Sequence, residues 1–228
     1  MQGDYDIFIV MIINNFLQSQ KSYKSKIFII IRGTASSGKS TTSMVLGNLI
    51  PIPFVIFHCE DTLFFHMVPS EYLVNGSRSK EGYSLERNSK GDIINVCASD
   101  WGSELYMLHT STLQTYTAAG LNIICEGNFS NEENLKNILQ YVPDDYSIFI
   151  FSLEVSLKIL EEREYKRLHE RAVGFAKHQK ETSDKFNYID SLTIHVDENT
   201  SPMKIAEIIW DFCQTTPPLS KNEVLSKI

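Results

Sequence analysis

The sequence predicts an α/β domain with a five-stranded parallel sheet and helices on both faces, carrying a hairpin and lid insertion. Three observations support this. Short apolar runs alternate along the chain with stretches of helical spacing, and such alternation builds a parallel sheet. The first run, Lys26-Ile27-Phe28-Ile29-Ile30-Ile31, is apolar at successive positions, as a strand buried on both faces must be. It is followed by Gly33-Thr34-Ala35-Ser36-Ser37-Gly38-Lys39-Ser40, which fits the phosphate-loop pattern G-x-x-x-x-G-K-[ST] at every fixed position. Strand, loop and helix in that order define a P-loop NTPase.

Each fixed residue of the loop has a mechanical reason. Gly33 and Gly38 permit backbone conformations and close approaches that a side chain would block. The N–H groups of Thr34, Ala35, Ser36, Ser37 and Lys39 can then turn inward around phosphate oxygens. Lys39 reaches the β/γ-phosphates, Ser40 ligates Mg²⁺, and Thr41 completes the nucleotide-binding set at the start of the helix. That helix covers 40–50 and is stopped by Pro51.

A second apolar strand, Phe54-Val55-Ile56-Phe57, leads to Glu60-Asp61. A carboxylate there lies on the ligand-bearing edge of an open α/β sheet, although the pair could also open a helix. From 70 to 103 the regular periods fade, and Tyr83-Ser84-Leu85 and Ile93-Ile94-Asn95-Val96 flank a turn, which predicts a β-hairpin. A segment this long between core elements reads as a lid or substrate-binding insertion. Tyr83 and Trp101 are its aromatic candidates for an acceptor pocket, or else core. Spacing predicts a helix over 104–119.

The third strand, Asn122-Ile123-Ile124-Cys125-Glu126, ends in an acid that can hold the water shell of Mg²⁺. A short helix at 131–141 and the strand Ser147-Ile148-Phe149-Ile150-Phe151 follow. Helical spacing then runs over 154–180, with the lid at 161–180. In it Arg163, Arg167 and Arg171 recur every fourth residue, so one face would present three guanidiniums. They suit the charge of a transferring phosphoryl group, while Glu161, Glu162, Glu164 and Glu170 leave open an ordinary solvated helix. Leu192-Thr193-Ile194-His195-Val196 is the fifth strand, and a helix over 203–213 closes the domain.

The 228 residues suit one domain. A net charge of −7 and a pI near 5.4 argue against a dedicated duplex nucleic-acid binder. Cys59, Cys97, Cys125 and Cys213 form no C-x-x-C pair and read as thiols of a reducing, cytoplasmic setting, without zinc or disulfides. No apolar window is long enough for a transmembrane helix. The N-terminal extension, 1–25, is read as an element packed on the domain or a short membrane-associating segment. The tail, 215–228 with Pro217-Pro218, is read as a loosely held end.

These pieces resemble the chloramphenicol phosphotransferase-like P-loop kinases from about Lys26 to Cys213, and the P-loop kinase domain is assigned to 26–214. The resemblance rests on the loop, on Phe57-His58-Cys59-Glu60-Asp61-Thr62-Leu63 with Pro69 beyond, on the hairpin insertion, and on Ile123-Ile124-Cys125-Glu126 with Phe129. Its sharpest piece is Arg163-Glu164-x-x-Arg167-x-x-x-Arg171-x-x-Gly174-x-Ala176-x-x-Gln179. It implies ATP-dependent phosphorylation of a hydroxyl on a small molecule. In the same way it implies Asp61 as the base, with Glu60 as neighbour and possible substitute, and Arg167 and Arg171 as phosphate ligands. The chain departs from the family where Gly127, not a second acid, follows Glu126. The same machinery could serve a nucleotide, polynucleotide or protein acceptor, or a non-catalytic ATP-binding module.

Overall fold

The computed structural model describes residues 26–60, 67–129, 131–166, 174–183 and 189–228. Five strands form the main sheet: β1 (Lys26–Arg32), β2 (Phe54–His58), β5 (Asn122–Gly127), β6 (Tyr146–Val155) and β7 (Leu192–Val196). Their order is β2-β5-β1-β6-β7, and every pair is parallel. The hairpin is a separate two-stranded antiparallel sheet of β3 (Tyr83–Arg87) and β4 (Ile93–Ala98).

Successive residues of β1 face opposite ways, and both faces are covered. Ile29 and Ile31 pack with Leu46, Phe149, Phe151, Ile205 and Ile209, beneath α1 (Lys39–Leu49) and α7 (Pro202–Thr215). Phe28 and Ile30 pack with Leu113, Ile123, Leu135, Ile138 and Ile148, beneath α3 (Leu113–Ala118) and α4 (Glu132–Leu139). This is why β1 reads as an unbroken apolar run.

Caps set the helix boundaries. Ser201 accepts from the Lys204 N–H with Pro202 in the first turn, and Asn131 accepts from the Asn134 N–H. The helix expected over 104–119 starts earlier, because Ser99 caps it through the Gly102 N–H. It also breaks in two at Thr112, giving α2 (Asp100–Ser111) and α3. Thr110, Ser111 and Thr112 each donate a hydroxyl back to a carbonyl three or four residues earlier, which weakens the helical ladder there.

The expected helical run 154–180 also divides. Glu154 belongs to β6, and the helices are α5 (Leu157–Lys166) and α6 (Phe175–Ser183).

The tail is not loose. Leu219 bridges Ile148 of β6, and a capping box between Ser220 and Glu223 starts α8 (Lys221–Leu225). Val224 is fully buried in the second cluster, and Lys221 donates to the Val142 carbonyl. The prolines end α7 but do not release the residues beyond them, because Leu219 and Val224 have apolar surface to cover. Among the described residues, no helix is long and apolar enough to cross a membrane.

Candidate active site

The phosphate loop leaves β1, the central strand, and enters α1 at Gly38, whose φ of 99° only glycine adopts freely. A Cβ on Gly33 would stand 2.8 Å from Ser37 Oγ and 3.0 Å from the Leu153 carbonyl oxygen, so that position must be bare. Ser36 holds a φ of 63°, uncommon without glycine, and stores strain within the loop.

Ala35, Ser36, Ser37 and Lys39 are buried. The Lys39 ammonium donates to the Thr34 carbonyl at 3.0 Å, which folds it over the loop. Among the described residues, the buried hydroxyls of Ser36 and Ser37 have no hydrogen-bond partner. Buried polar atoms are nearly always satisfied; Thr42 Oγ1, Asn128 Oδ1 and Ser152 Oγ share this state, and it is their place in the loop next to Lys39 that makes the Ser36 and Ser37 hydroxyls candidates to donate to an anion.

On the neighbouring strand ends, Glu126 is 2 % exposed, and one of its oxygens serves two partners. Ser40 Oγ donates to it at 3.3 Å, and His58 Nδ1 lies 2.8 Å away. Hydroxyl and carboxylate thus converge at the start of α1, two oxygen donors of the kind that could hold a Mg²⁺ ion or its waters. Glu60 has a different occupation, since both its oxygens accept from the Asn128 N–H, at 2.9 and 3.1 Å. That bond holds the turn after β5. The turn also explains Gly127: a Cβ there would come within 3.0 Å of the Phe129 ring, and Phe129 itself has a φ of 45°.

Two thiols lie beneath these acids. Cys59 and Cys125 are fully buried with sulfurs 3.5 Å apart. Burial first, then the hydrogen bond with Cys125, pushes the Cys59 thiol well above its usual value, so it stays protonated. Among the described residues, no group of three or more His, Cys, Asp or Glu side chains could hold a metal by itself.

Asp61, Arg167 and Arg171 lie outside the described residues. Arg163 is described, and its guanidinium donates to the carbonyls of Ser36 and Ser37 at 3.4 and 3.3 Å. It therefore sits on the loop itself, which its sequence neighbourhood could not decide.

Other contacts of the α5–α6 arm were not legible either. Glu164, 3 % exposed, accepts from the Gly174 and Ala176 N–H groups at 2.8 and 2.9 Å, and so caps α6. Gln179 Oε1 accepts from the Ala35 N–H at 2.5 Å. The only sequence signal for either residue was its place in the lid segment that carries the family resemblance.

Of the two aromatic candidates, Tyr83 is core. Its hydroxyl donates to the Gly102 carbonyl at 2.6 Å, and burial raises the phenol to about 12. Trp101 is 43 % exposed and tilts against Tyr72 with ring centres 5.5 Å apart. A cleft of about 850 Å³ opens between the hairpin tip and the α5–α6 arm, lined by Arg87, Lys90, Asp92, Tyr165 and Lys177 among others.

A parallel sheet with a phosphate loop leaving its central strand, and an arm reaching back over that loop, defines a P-loop phosphotransferase of the kinase type. The sequence profile of chloramphenicol phosphotransferase-like proteins matches residues 26–214, and the chain belongs to that family. Solved structures share the fold at low identity. A sugar kinase from Janibacter sp. superposes with a TM-score of 0.57 at 14% identity, covering 84% of this chain and 96% of that one. Shikimate kinase from Acinetobacter baumannii, in complex with shikimate, gives 0.53 at 10% identity, covering 86% and 97%. The APS kinase of Mycobacterium tuberculosis, in complex with AMPPNP and APS, gives 0.51 at 13% identity, covering 84% and 99%. No curated protein sequence matches the chain.

Proposed function

We propose that the protein transfers the γ-phosphate of Mg-ATP to a hydroxyl group of a small molecule. The observation that carries this reading is the phosphate cradle: the orphaned hydroxyls of Ser36 and Ser37 beside Lys39, with the Ser40–Glu126 pair at its edge. In this reading the Lys39 ammonium and the backbone amides of 34–39 hold the phosphates, apart from the Ala35 amide, which donates to Gln179. Ser40 and, through water, Glu126 would hold Mg²⁺, which when bound would neutralise charge on the phosphate oxygens. Arg163 anchors the arm on the loop, and Arg167 and Arg171 close over the group in transfer.

Asp61 accepts the acceptor's proton and orients its oxygen for in-line attack. Glu60 is a weaker candidate for that role, since both its oxygens already accept from the Asn128 N–H. Little covalent work falls to the protein; positioning and charge neutralisation supply the catalysis. We assign the kinase unit to 26–214 and the acceptor side to the 70–103 insertion. The free thiols suit a reducing cytoplasm.

The test is transfer of labelled γ-phosphate from Mg-ATP into a pool of hydroxyl-bearing small molecules, with the Asp61→Asn protein alongside. A labelled product that depends on Asp61 supports the reading and supplies the acceptor. ATP binding with no labelled small molecule would overturn the small-molecule acceptor.

A further inference from the structure

The α6 helix touches two parts of the molecule that the sequence keeps far apart. Residues 177 and 179 are two positions apart, about 200° around a helix axis, and so point to opposite sides. On one side Lys177 Nζ pairs with Asp92 Oδ1 of the hairpin turn at 3.3 Å. On the other, Gln179 accepts the Ala35 N–H of the phosphate loop. Ala176, on the same side as Gln179, is fully buried, and Glu164 clamps the first turn.

The peptide that Gln179 engages is the one whose other end holds Lys39. The Ala35 N–H and the Thr34 carbonyl belong to a single planar unit and point opposite ways. Gln179 takes the N–H end, and the Lys39 ammonium takes the carbonyl end at 3.0 Å. Ala35 is buried, and a buried amide left unpaired is costly. Accepting that N–H fixes the peptide and polarises its carbonyl toward the ammonium.

We propose that Gln179 is a positioning residue of the phosphate site. It holds the Thr34–Ala35 peptide so that Lys39 stands over the loop, and through α6 it links this peptide to the hairpin at Asp92. The inference deepens the kinase reading above and rests on it for its functional consequence.

Two measurements test it. One is hydrogen exchange of the Ala35 amide in nucleotide-free protein by ¹⁵N NMR; the other is the Kd for Mg-ADP and Mg-ATP by calorimetry. In Gln179→Met, which keeps the size but loses the acceptor, Ala35 exchange accelerates and both Kd values rise by about tenfold. Melting temperature falls by only a few degrees, the cost of one unpaired buried amide. Gln179→Glu keeps an acceptor oxygen and keeps Ala35 protected. Lys177→Met changes only a partly exposed side chain, and accelerates Ala35 exchange by about two- to threefold.

Unchanged Ala35 exchange in Gln179→Met would overturn the proposal, as would faster exchange with unchanged nucleotide affinity. Should that variant fail to fold, unchanged exchange in Lys177→Met overturns the link to the hairpin. A wild-type protein that binds no Mg-nucleotide would instead sink the kinase reading and leave the exchange comparison standing.

Discussion

The phosphate loop and the α5–α6 arm lie against each other, yet they are held by different means. The loop is fixed by its own backbone: glycines at 33 and 38, a left-handed Ser36, and a lysine that bonds a carbonyl five residues earlier. The arm is fixed by single side chains that reach far in sequence: Gln179 to Ala35, Arg163 to Ser36 and Ser37. A site built from near neighbours leaves a readable pattern in the chain, and one built from distant partners does not.

The strongest test of the loop half is Lys39→Ala. The ammonium is buried in the cradle and is the charged donor that belongs to the loop itself. Removing it lowers transfer by about a thousandfold or more, roughly 4 kcal/mol of lost transition-state stabilisation. The fold should persist with an unchanged circular-dichroism spectrum. Transfer above one-tenth of the wild-type rate would mean that the arm, not the loop, carries the phosphate.

Glu164→Ala probes the arm as directly. It strips two buried amides at the start of α6 of their acceptor, which costs about 3 kcal/mol in urea unfolding. Glu164→Gln retains one good acceptor and loses about half as much. Equal losses would show that charge, rather than the two hydrogen bonds, holds the helix.

Asp61→Asn comes next in size. Under the proposed mechanism transfer drops by about a hundredfold or more while Mg-ATP affinity holds, because the variant loses the proposed proton acceptor and keeps the phosphate loop. A full rate in this variant, with transfer lost in Glu60→Gln, would move the base one residue back.

The same division between near and distant partners decides what the sequence disclosed elsewhere. Five strands, their parallel pairing and the hairpin follow from local pattern: β1, β5 and β6 are apolar runs buried on both faces, and the hairpin is two short runs flanking a turn. The loop was legible as a local pattern too, since its fixed residues lie within eight consecutive positions. The Thr112 break was less so, because three successive hydroxyl-bearing residues disturb a helix without changing its apolar spacing. Gln179, Glu164 and His58 were hidden, since each acts through a partner many residues away. The tail misled for the converse reason: Pro217-Pro218 signals an end, while the surface that receives Val224 is assembled from β6 and the helices of the second face.

Val224→Ala measures that hidden contact. The side chain is fully buried, and its truncation costs about 2 kcal/mol in stability with kcat unchanged. A loss below about 0.5 kcal/mol, the range of ordinary surface substitutions, would return the tail to the loose end that its prolines suggest.

The smallest expected effect separates the two aromatics of the insertion. Tyr83→Phe removes one buried hydroxyl from the Gly102 carbonyl and costs about 1 kcal/mol of stability. Trp101→Ala, at a half-open position against Tyr72, changes stability by less than about 0.5 kcal/mol. Their kinetic effects should reverse in order. Under the proposed assignment of the acceptor to the insertion, the exposed Trp101 ring serves binding, so Trp101→Ala raises the acceptor KM by about threefold with kcat kept, the sign of binding shared equally by ground and transition states. Tyr83→Phe leaves KM in place. An acceptor KM indifferent to Trp101 would move the proposed recognition to the cleft at the hairpin tip, which Tyr165 lines together with Arg87, Lys90, Asp92 and Lys177.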